Sequence, residues 1–401
     1  MHILLVTGEY PPMQGGVGAY TAALGQTLAG QGLAVSVITH RRGTSLSPIP
    51  SLSPDYPRTY PQISRWDWRS LGRIATLADE LAADWVHVQY QTAAFGMHPA
   101  INFGPLFWRR RGFRVAWTYH DLLVPYLFPK AGARLRRWVT ERPAFSADAT
   151  IVTNEQDRLA LVGRVANLSA IPIGSNIRGV TLRAGERQGE RARLGYGADD
   201  LVMAYFGFLN RSKGGITLIE SLHRLVTQGR NAHLLMIGER VGASDPTNFA
   251  YLQEVEARIG ALGLSPRVQW TGRLDDDGVA ASLNAIDVLV MPYSDGVSLR
   301  RGTLMAGLAN GCAIVTTTPQ TPLAELRDGE EWLTVPPGDG DATAQAVARI
   351  ADDCQLAGSL RANARAASRL YAWENIAARH LSIYGQSSGL ADPRLLPDNR
   401  L

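Results

Sequence analysis

Two short stretches carry the residue types that could hold an anion. Gly207-Phe208-Leu209-Asn210-Arg211-Ser212-Lys213-Gly214 follows the apolar run 202–206, and Asp295-Gly296-Val297-Ser298-Leu299-Arg300-Arg301-Gly302-Thr303 follows the apolar run 286–291. Each leads into an amphipathic helical pattern, so each reads as strand, loop, helix. Ligands in open α/β sheets sit beyond the carboxyl ends of the strands, where helix N-termini offer unpaired N–H groups and a partial positive charge. Of the 40 basic residues only Lys130 and Lys213 are lysines. A lysine inside one of these loops therefore stands out, and a compact ammonium aimed at phosphate explains it. Arg211, Arg300 and Arg301 add guanidinium groups able to grip a diphosphate with two parallel hydrogen bonds, and the N–H groups of Gly302 and Thr303 open the helix beneath.

The first half offers different chemistry. Gly15-Gly16-Val17-Gly18 opens the first helix after the first strand, with Glu9 and Tyr10 bordering the loop. It is not a dinucleotide fingerprint, because the third glycine position falls on Thr21 and the second strand ends in Thr39-His40 without a ribose-binding acid. His120-Asp121 follows Trp117-Thr118-Tyr119 at a strand's carboxyl end, where an imidazole can bind a sugar hydroxyl or move a proton and the acid can orient it. His87 and Tyr90 sit at a similar level in Val86-His87-Val88-Gln89-Tyr90-Gln91. Asp275-Asp276-Asp277 resembles a metal-binding run but directly precedes a helical pattern, where acids favour the dipole, so no metal is expected there.

Composition bounds the class. A chain of 401 residues with 45% hydrophobic content suggests two or three globular domains. Cys312 and Cys354 form no disulfide framework or thiolate zinc pattern, which fits a reducing compartment, and the expected location is cytoplasmic, extending to the inner face of the plasma membrane. The N-terminal run 2–8 lacks a basic leader and reads as a buried strand; no run reaches the length of a transmembrane helix. Charge is uneven: residues 1–175 hold 17 basic and 11 acidic residues, residues 176–401 hold 23 and 25. Most of the excess lies in 107–142, where nine cations are interleaved with Phe107, Trp108, Phe113 and Trp138. Such a surface suits peripheral contact with an anionic leaflet or an acidic acceptor. No nucleic-acid module is present.

These residues need elements to position them. In the first half, strands are expected at 3–7, 35–39, 85–88, 115–119, 149–153 and 168–171, with helices at 18–29, 71–81, 133–139 and 155–161. Residues 45–61, rich in Pro and Ser, read as a long loop. A second series has strands at 201–206, 234–237, 268–270, 288–291, 313–316 and 333–335, and helices at 214–228, 247–262, 276–284, 303–309, 322–327 and 341–352. The alternation predicts two parallel, doubly wound sheets, 1–175 and 176–370, facing a central cleft. A last helix at 371–385 is expected to pack back on the first domain, and 386–401 reads as a loose tail.

With these residues in view, the chain resembles glycosyltransferase family 4 (group 1), of the GT-B fold and the bacterial glycan-biosynthesis type, along nearly its whole length. The resemblance rests on Glu9-Tyr10-Pro11-Pro12 with Gly15-Gly16-Val17-Gly18, Tyr119-His120-Asp121, Ile171-Pro172-Ile173-Gly174-Ser175-Asn176, the Gly207–Gly214 loop, Leu308-Ala309-Asn310-Gly311-Cys312-Ala313-Ile314-Val315 and Tyr371-Ala372-Trp373-Glu374. It implies retaining, metal-independent sugar transfer from a nucleotide diphosphate sugar, with no cofactor, to a sugar or lipid-linked hydroxyl acceptor. Two departures stand out. Phe208 occupies the position of a family arginine, and the family's pair of glutamates seven residues apart is absent: one register puts Ser298 and Ala306 there, the other Asp295 and Thr303. The expected roles are catalysis by His120, Asp295 and Lys213. Donor binding falls to Gly16, Gly207, Asn210, Arg211, Lys213, Gly238, Arg273, Ser298, Arg300, Arg301, Gly302 and Thr303. Acceptor binding falls to Glu9, Tyr10, Gly15, His87, Tyr90 and Asp121. The rivals are a non-catalytic GT-B protein that binds a nucleotide sugar, prompted by the missing glutamates, and a GT-B epimerase or phosphorylase.

Overall fold

The structure is a computed structural model that describes residues 1–13, 15–41, 56–124, 129–240 and 246–386. Most of the Pro/Ser-rich segment, the tail beyond Gln386 and residues 125–128 of the basic stretch lie outside the described residues. The chain divides into two compact units, Met1–Gly174 together with the segment from Ala372, and Ser175–Tyr371.

The first unit runs β1 (His2–Thr7), α1 (Gly16–Gly30), β2 (Ala34–His40), β3 (Arg58–Ile63), α2 (Trp68–Glu80), β4 (Trp85–Tyr90), α3 (Gly104–Arg109), β5 (Arg114–Tyr119), α4 (Ala133–Glu141), β6 (Ala149–Val152), α5 (Glu155–Leu161) and β7 (Leu168–Ala170). Its seven strands lie in the order β3-β2-β1-β4-β5-β6-β7, all parallel. Because side chains alternate across a strand, Leu4 and Val6 join one apolar layer with Val86 and Val88, while Ile3 and Leu5 join the other with Trp85. A side chain of this size buried completely contributes roughly 1.5–3 kcal/mol.

The second unit repeats the plan: α6 (Ala184–Arg193), β8 (Leu201–Phe206), α7 (Gly215–Thr227), β9 (Ala232–Ile237), α8 (Pro246–Ala261), β10 (Val268–Trp270), α9 (Asp276–Ala285), β11 (Val288–Met291), α10 (Gly302–Ala309), β12 (Ile314–Thr317), β13 (Leu333–Val335), α11 (Gly340–Asp352) and α12 (Cys354–Ser368). The strand order β10-β9-β8-β11-β12-β13 reverses direction between β8 and β11. At such a switch point neighbouring loops leave to opposite faces and open a crevice. The final helix, α13 (Trp373–Gln386), belongs to the first unit, where Ile376, Ala377 and Tyr384 enter the same apolar layer as α1.

Five expectations change. The six-residue helix α3 forms where no element was expected. Residues 58–63 form a strand within what read as loop; it sits at the sheet edge, where Pro61 withholds its missing N–H without breaking a central ladder. Residues 322–327 form turns, not a helix. Two longer helices also escaped the reading. Of these, α6 buries only Arg191, so it is held by ions: Arg187 and Arg191 both reach Asp287, at 2.8 and 3.1 Å. The other, α12, is alanine-rich, and Asp353 caps its start by accepting from Gln355 N and Leu356 N.

Candidate functional site

The loops after β8 and β11 flank the switch point of the second sheet, and the structure brings them together. Ser294 N donates to Ser212 O at 3.0 Å. Gly214 has φ 69°, and a Cβ there would lie 1.8 Å from Pro292 O, so only glycine permits this approach. A Cβ on Gly207, φ 107°, would meet the Thr303 methyl at 3.0 Å. Gly207 N donates to Ile237 O, and Gly238, φ 108°, is bridged to Gly272 and donates its N–H to Thr271 Oγ1 at 3.0 Å.

The helices that follow these loops begin without an acidic cap, although in the first turn of α7 the Tyr251 hydroxyl accepts from Ile216 N at 3.2 Å. Neither α7 nor α10 has a side-chain cap or an acid in its first turn. Elsewhere in the same unit α9, α11 and α12 are capped by Asp275, Asp339 and Asp353. An uncapped N-terminus keeps its N–H groups and its partial positive charge available to an outside anion.

Cations converge on the same place. Lys213 Nζ lies 5.0 Å from the centre of the Tyr293 ring and Arg301 Cζ 4.6 Å from it. Tyr293 is wholly buried, its hydroxyl 2.5 Å from Thr303 Oγ1. Arg301 Nη2 donates to both oxygens of Asp295 at 2.6 Å, while Arg300 is 3.9 Å from that carboxylate. One acid thus faces three cations. Burial first, then the charges of Arg301 and Arg300, hold the Lys213 amine down to about 7 against the opposing pull of Asp295. Arg301 Nε and the Ser298 hydroxyl are buried without a hydrogen-bond partner among the described residues. Unpartnered buried donors beside excess positive charge are able to receive an anion.

Several candidates are placed otherwise. Arg211 turns outward, donating to Glu254 at 2.6 Å over the Tyr251 ring, with 74% of its side chain exposed. Its guanidinium is stabilised by that surface pair, not by the loop cluster. Asp295 spends both oxygens on Arg301, which makes it a clamp for that guanidinium. Asn210 Oδ1 accepts from Ser212 Oγ inside its own turn. Arg273 is exposed beside Gly272 and has no ion pair among the described residues.

In the first unit the Gly-rich turn is already occupied by an internal carboxylate. Glu9 Oε1 accepts from Val17 N and Gly18 N at 3.1 and 3.2 Å, filling the N-terminus of α1. Burial raises the Glu9 pKa, and the Gly18 and Val17 hydrogen bonds pull it back. A Cβ on Gly15 would overlap this carboxylate at 2.0 Å; Gly16 is exposed with open space above it. The reading of Glu9 and Gly15 as acceptor contacts is thereby corrected to a built-in helix cap, while Gly16 stays open on its exposed side. Tyr10 is buried, and that burial pushes its hydroxyl up to about 12.

His120 is partly buried at the end of β5, with its ring 4.7 Å from that of Tyr20 in an edge-on contact. Its Nε2 lies 3.0 Å from Gln89 Oε1. The orienting partner is therefore Gln89 and not Asp121, whose oxygens accept from Gln91 Nε2 and Leu123 N. His87 is wholly buried against Tyr384 and Thr118, and Tyr90 is 2% exposed among Thr92, Asn102 and aromatic neighbours. Neither presents an atom to an incoming acceptor.

A cavity that sequence reasoning missed lies at the first sheet's own switch point, between the ends of β1 and β4. Its volume is about 370 Å³, and Gly8, Met13, His40, Arg65, Trp66 and His98 are among its walls. A Cβ on Gly8 would strike Ala94 O at 2.2 Å, so glycine lets the loop after β4 close over the strand end. His98 Nδ1 accepts from Ala100 N, and Arg65 is exposed without a partner among the described residues. These residues come from four separate loops with no motif, so no sequence signal gathers them.

The basic and aromatic stretch is exposed where described. Leu135 and Trp138 of α4 are about half exposed, and Arg142 lies 4.9 Å from both the Phe103 and Trp138 rings. Among the described residues no helix is long and apolar enough to cross a membrane, and no cluster of His, Cys, Asp or Glu could hold a metal ion.

Two Rossmann-like units of this topology define the GT-B class of α/β proteins. Among solved structures, the sucrose-phosphate synthase of Thermosynechococcus elongatus superposes with a TM-score of 0.73 at 24% identity, covering 98% of this chain and 100% of that one, which bears on fold alone. One family model, Glycosyltransferase Family 4, matches residues 14–174, and a second, Glycosyl transferases group 1, matches residues 200–353; the chain belongs to this family. A phosphatidyl-myo-inositol mannosyltransferase of Mycolicibacterium smegmatis is 26% identical over 196 residues, 49% of this chain and 47% of that protein. The chain thus matches about half the length of that relative. A D-inositol 3-phosphate glycosyltransferase of a Nocardioides species is 22% identical over 402 residues, covering 92% of this chain and 85% of the relative.

Proposed function

We propose that the protein transfers a sugar, with retention of anomeric configuration, from a nucleoside diphosphate sugar to a hydroxyl acceptor in glycan synthesis. The observation that carries this is the pair of uncapped, cation-lined loops at the switch point of the second sheet. In the reaction the bond from C1 to the donor phosphate oxygen breaks, C1 bonds to the acceptor oxygen, and the acceptor proton passes to the departing phosphate. Negative charge grows on that phosphate as the bond breaks. Lys213, Arg300, Arg301 and the N-terminus of α10 stabilise it most strongly in the transition state, without a metal. The leaving diphosphate also returns Lys213 to its charged form. Ser298 and Arg301 Nε gain partners only when the site is filled.

For the acceptor, we assign the cavity in the first unit, where Arg65 and the His98 imidazole, with Asp67 beside them, suit a polyol bearing a phosphate or carboxylate. The relatives named for inositol phosphates and phosphatidylinositol support an acceptor of that kind. We assign a hydroxyl-binding role to His120. The exposed Trp138 and Leu135, flanked by arginines, favour peripheral contact with an anionic bilayer.

The test is incubation with a panel of nucleoside diphosphate sugars in the presence of chelator, following thermal stabilisation and release of free nucleoside diphosphate. One donor that stabilises the protein and is slowly hydrolysed, faster when polyol phosphates are added, supports transfer. The missing glutamate pair favours a second reading, a nucleotide-sugar-binding protein without turnover. Binding with no hydrolysis under any acceptor would establish that reading instead.

A further inference from the structure

A row of polar side chains crosses the interior of the first unit where a central parallel strand would ordinarily be apolar. His87 and Gln89 point to the same face of β4, Thr118 stands opposite Gln89 on β5, and α13 covers them with Tyr384 and His380. All five are wholly buried. Burying such groups is unfavourable unless each is hydrogen-bonded, so the pattern needs a reason.

The contacts form one directed chain. His120 Nε2 lies 3.0 Å from Gln89 Oε1, Gln89 Nε2 lies 3.2 Å from His87 Nε2, and His87 Nδ1 lies 2.6 Å from the Tyr384 hydroxyl. An amide oxygen only accepts and an amide nitrogen only donates. His120 must therefore carry its proton on Nε2. His87 Nε2 must be a lone pair, which also accepts from Thr118 Oγ1 at 2.8 Å, and His87 Nδ1–H donates to Tyr384. The orientation of one amide fixes the tautomers of two histidines.

What remains at the open end is a single acceptor. Burial, and then the nearby His380, depress the His120 pKa to about 3, so the ring is neutral at any working pH. A neutral imidazole has one donor and one acceptor, and the donor is spent on Gln89. Nδ1 has no partner among the described residues.

We propose that Gln89 is a positioning residue: held by His87 and Tyr384, it locks His120 as the Nε2–H tautomer, so that Nδ1 is offered as an acceptor to a substrate hydroxyl. The hydroxyl rests on the transferase reading above; the tautomer does not. The arrangement also ties α13, the last helix of the chain, to the geometry of His120 through a hydrogen bond made 297 residues apart.

The experiment is ¹⁵N NMR of the histidine side chains in the full chain, where Nε2–H and Nδ1–H tautomers have distinct ring-nitrogen shifts. His120 is assigned by comparison with His120→Asn. Wild type should show His120 with the proton on Nε2. Gln89→Leu should convert it to a mixture of tautomers and lower kcat of transfer about tenfold or more, with nucleoside diphosphate Kd unchanged. Gln89→Glu keeps an acceptor for His120 Nε2–H but sets an oxygen against the His87 Nε2 lone pair, so His120 should stay protonated on Nε2 while the His87 proton moves from Nδ1 to Nε2. If Gln89→Leu does not fold, Tyr384→Phe serves, with a shift expected at the His87 nitrogens and a second tautomer appearing at His120. An Nδ1–H His120 in wild type, or an unchanged His120 spectrum in Gln89→Leu or, in its place, Tyr384→Phe, overturns the proposal. A protein that binds donors but transfers nothing would refute the transferase reading while the spectra still decide the relay.

Discussion

Replacing Lys213 by methionine should make the second unit more stable and its anion site worse. In the folded protein the amine titrates near 7, against 10.5 for the free side chain, because burial and the guanidinium groups of Arg301 and Arg300 disfavour its charge. A displacement of that size corresponds to about 5 kcal/mol between the two protonation states. The unfolded chain therefore holds a proton that the native state has lost between pH 7 and 10.5. Where the unfolded state binds more protons, stability rises with pH. The penalty is thus fully present below pH 7 and fades as pH climbs through that window. Methionine fills similar volume beside Tyr293 and carries no charge, so the variant should gain stability at pH 6, up to the ceiling of about 5 kcal/mol, and lose the advantage by about pH 10.5. Hydrogen exchange of amides in β8 and β11, read as opening free energy at several pH values, measures this for the second unit alone. Calorimetric titration with a nucleoside diphosphate should show binding weakened by about 1–3 kcal/mol, the worth of a charge-assisted phosphate contact. A variant that is less stable at pH 6, or a difference that does not change with pH, would refute the assignment of Lys213 as a strained, anion-ready cation.

Three further outcomes follow from the same geometry. Binding of a nucleoside diphosphate sugar should weaken as pH rises above about 7, because the complex must restore the Lys213 proton; in Lys213→Met, titrations at pH 7 and 9 should agree. Gly302→Asp adds a side chain in open space at the first turn of α10, so it should stabilise that helix by roughly 1 kcal/mol through propensity and dipole while reducing nucleotide affinity at least tenfold by filling the anion site. Thermal melts and binding isotherms separate the two effects. Gly214→Ala combines φ 69° with a Cβ 1.8 Å from Pro292 O, and a loss of about 3 kcal/mol or more in chemical denaturation is expected; an alanine variant as stable as wild type would show that the two loops are not held together at Pro292.

Periodicity and punctuation in the sequence determined the architecture. Runs such as 202–206 and 288–291 must be buried on both faces, which only a parallel sheet clad in helices allows, and Gly207, Gly214 and Gly302 mark where strands turn into helices. The presence of lysine in one loop and paired arginines in the other pointed to an anion, since composition makes that lysine exceptional. Edge strand β3 and the ion-held helix α6 were illegible because an edge tolerates proline and a helix pinned by Asp287 needs no apolar stripe. Which charges remain available was settled only in three dimensions. Arg211 and Arg301 lie in equivalent loops, yet Arg211 found Glu254 on α8 while Arg301 was clamped by Asp295 beside a bare helix end. Asp121 adjoins His120 in sequence but turns to Gln91, leaving the imidazole to Gln89 on the neighbouring strand. Local pattern reports where the backbone is buried. Partner choice depends on distances between elements far apart in the chain, and those exist only once the sheets have formed.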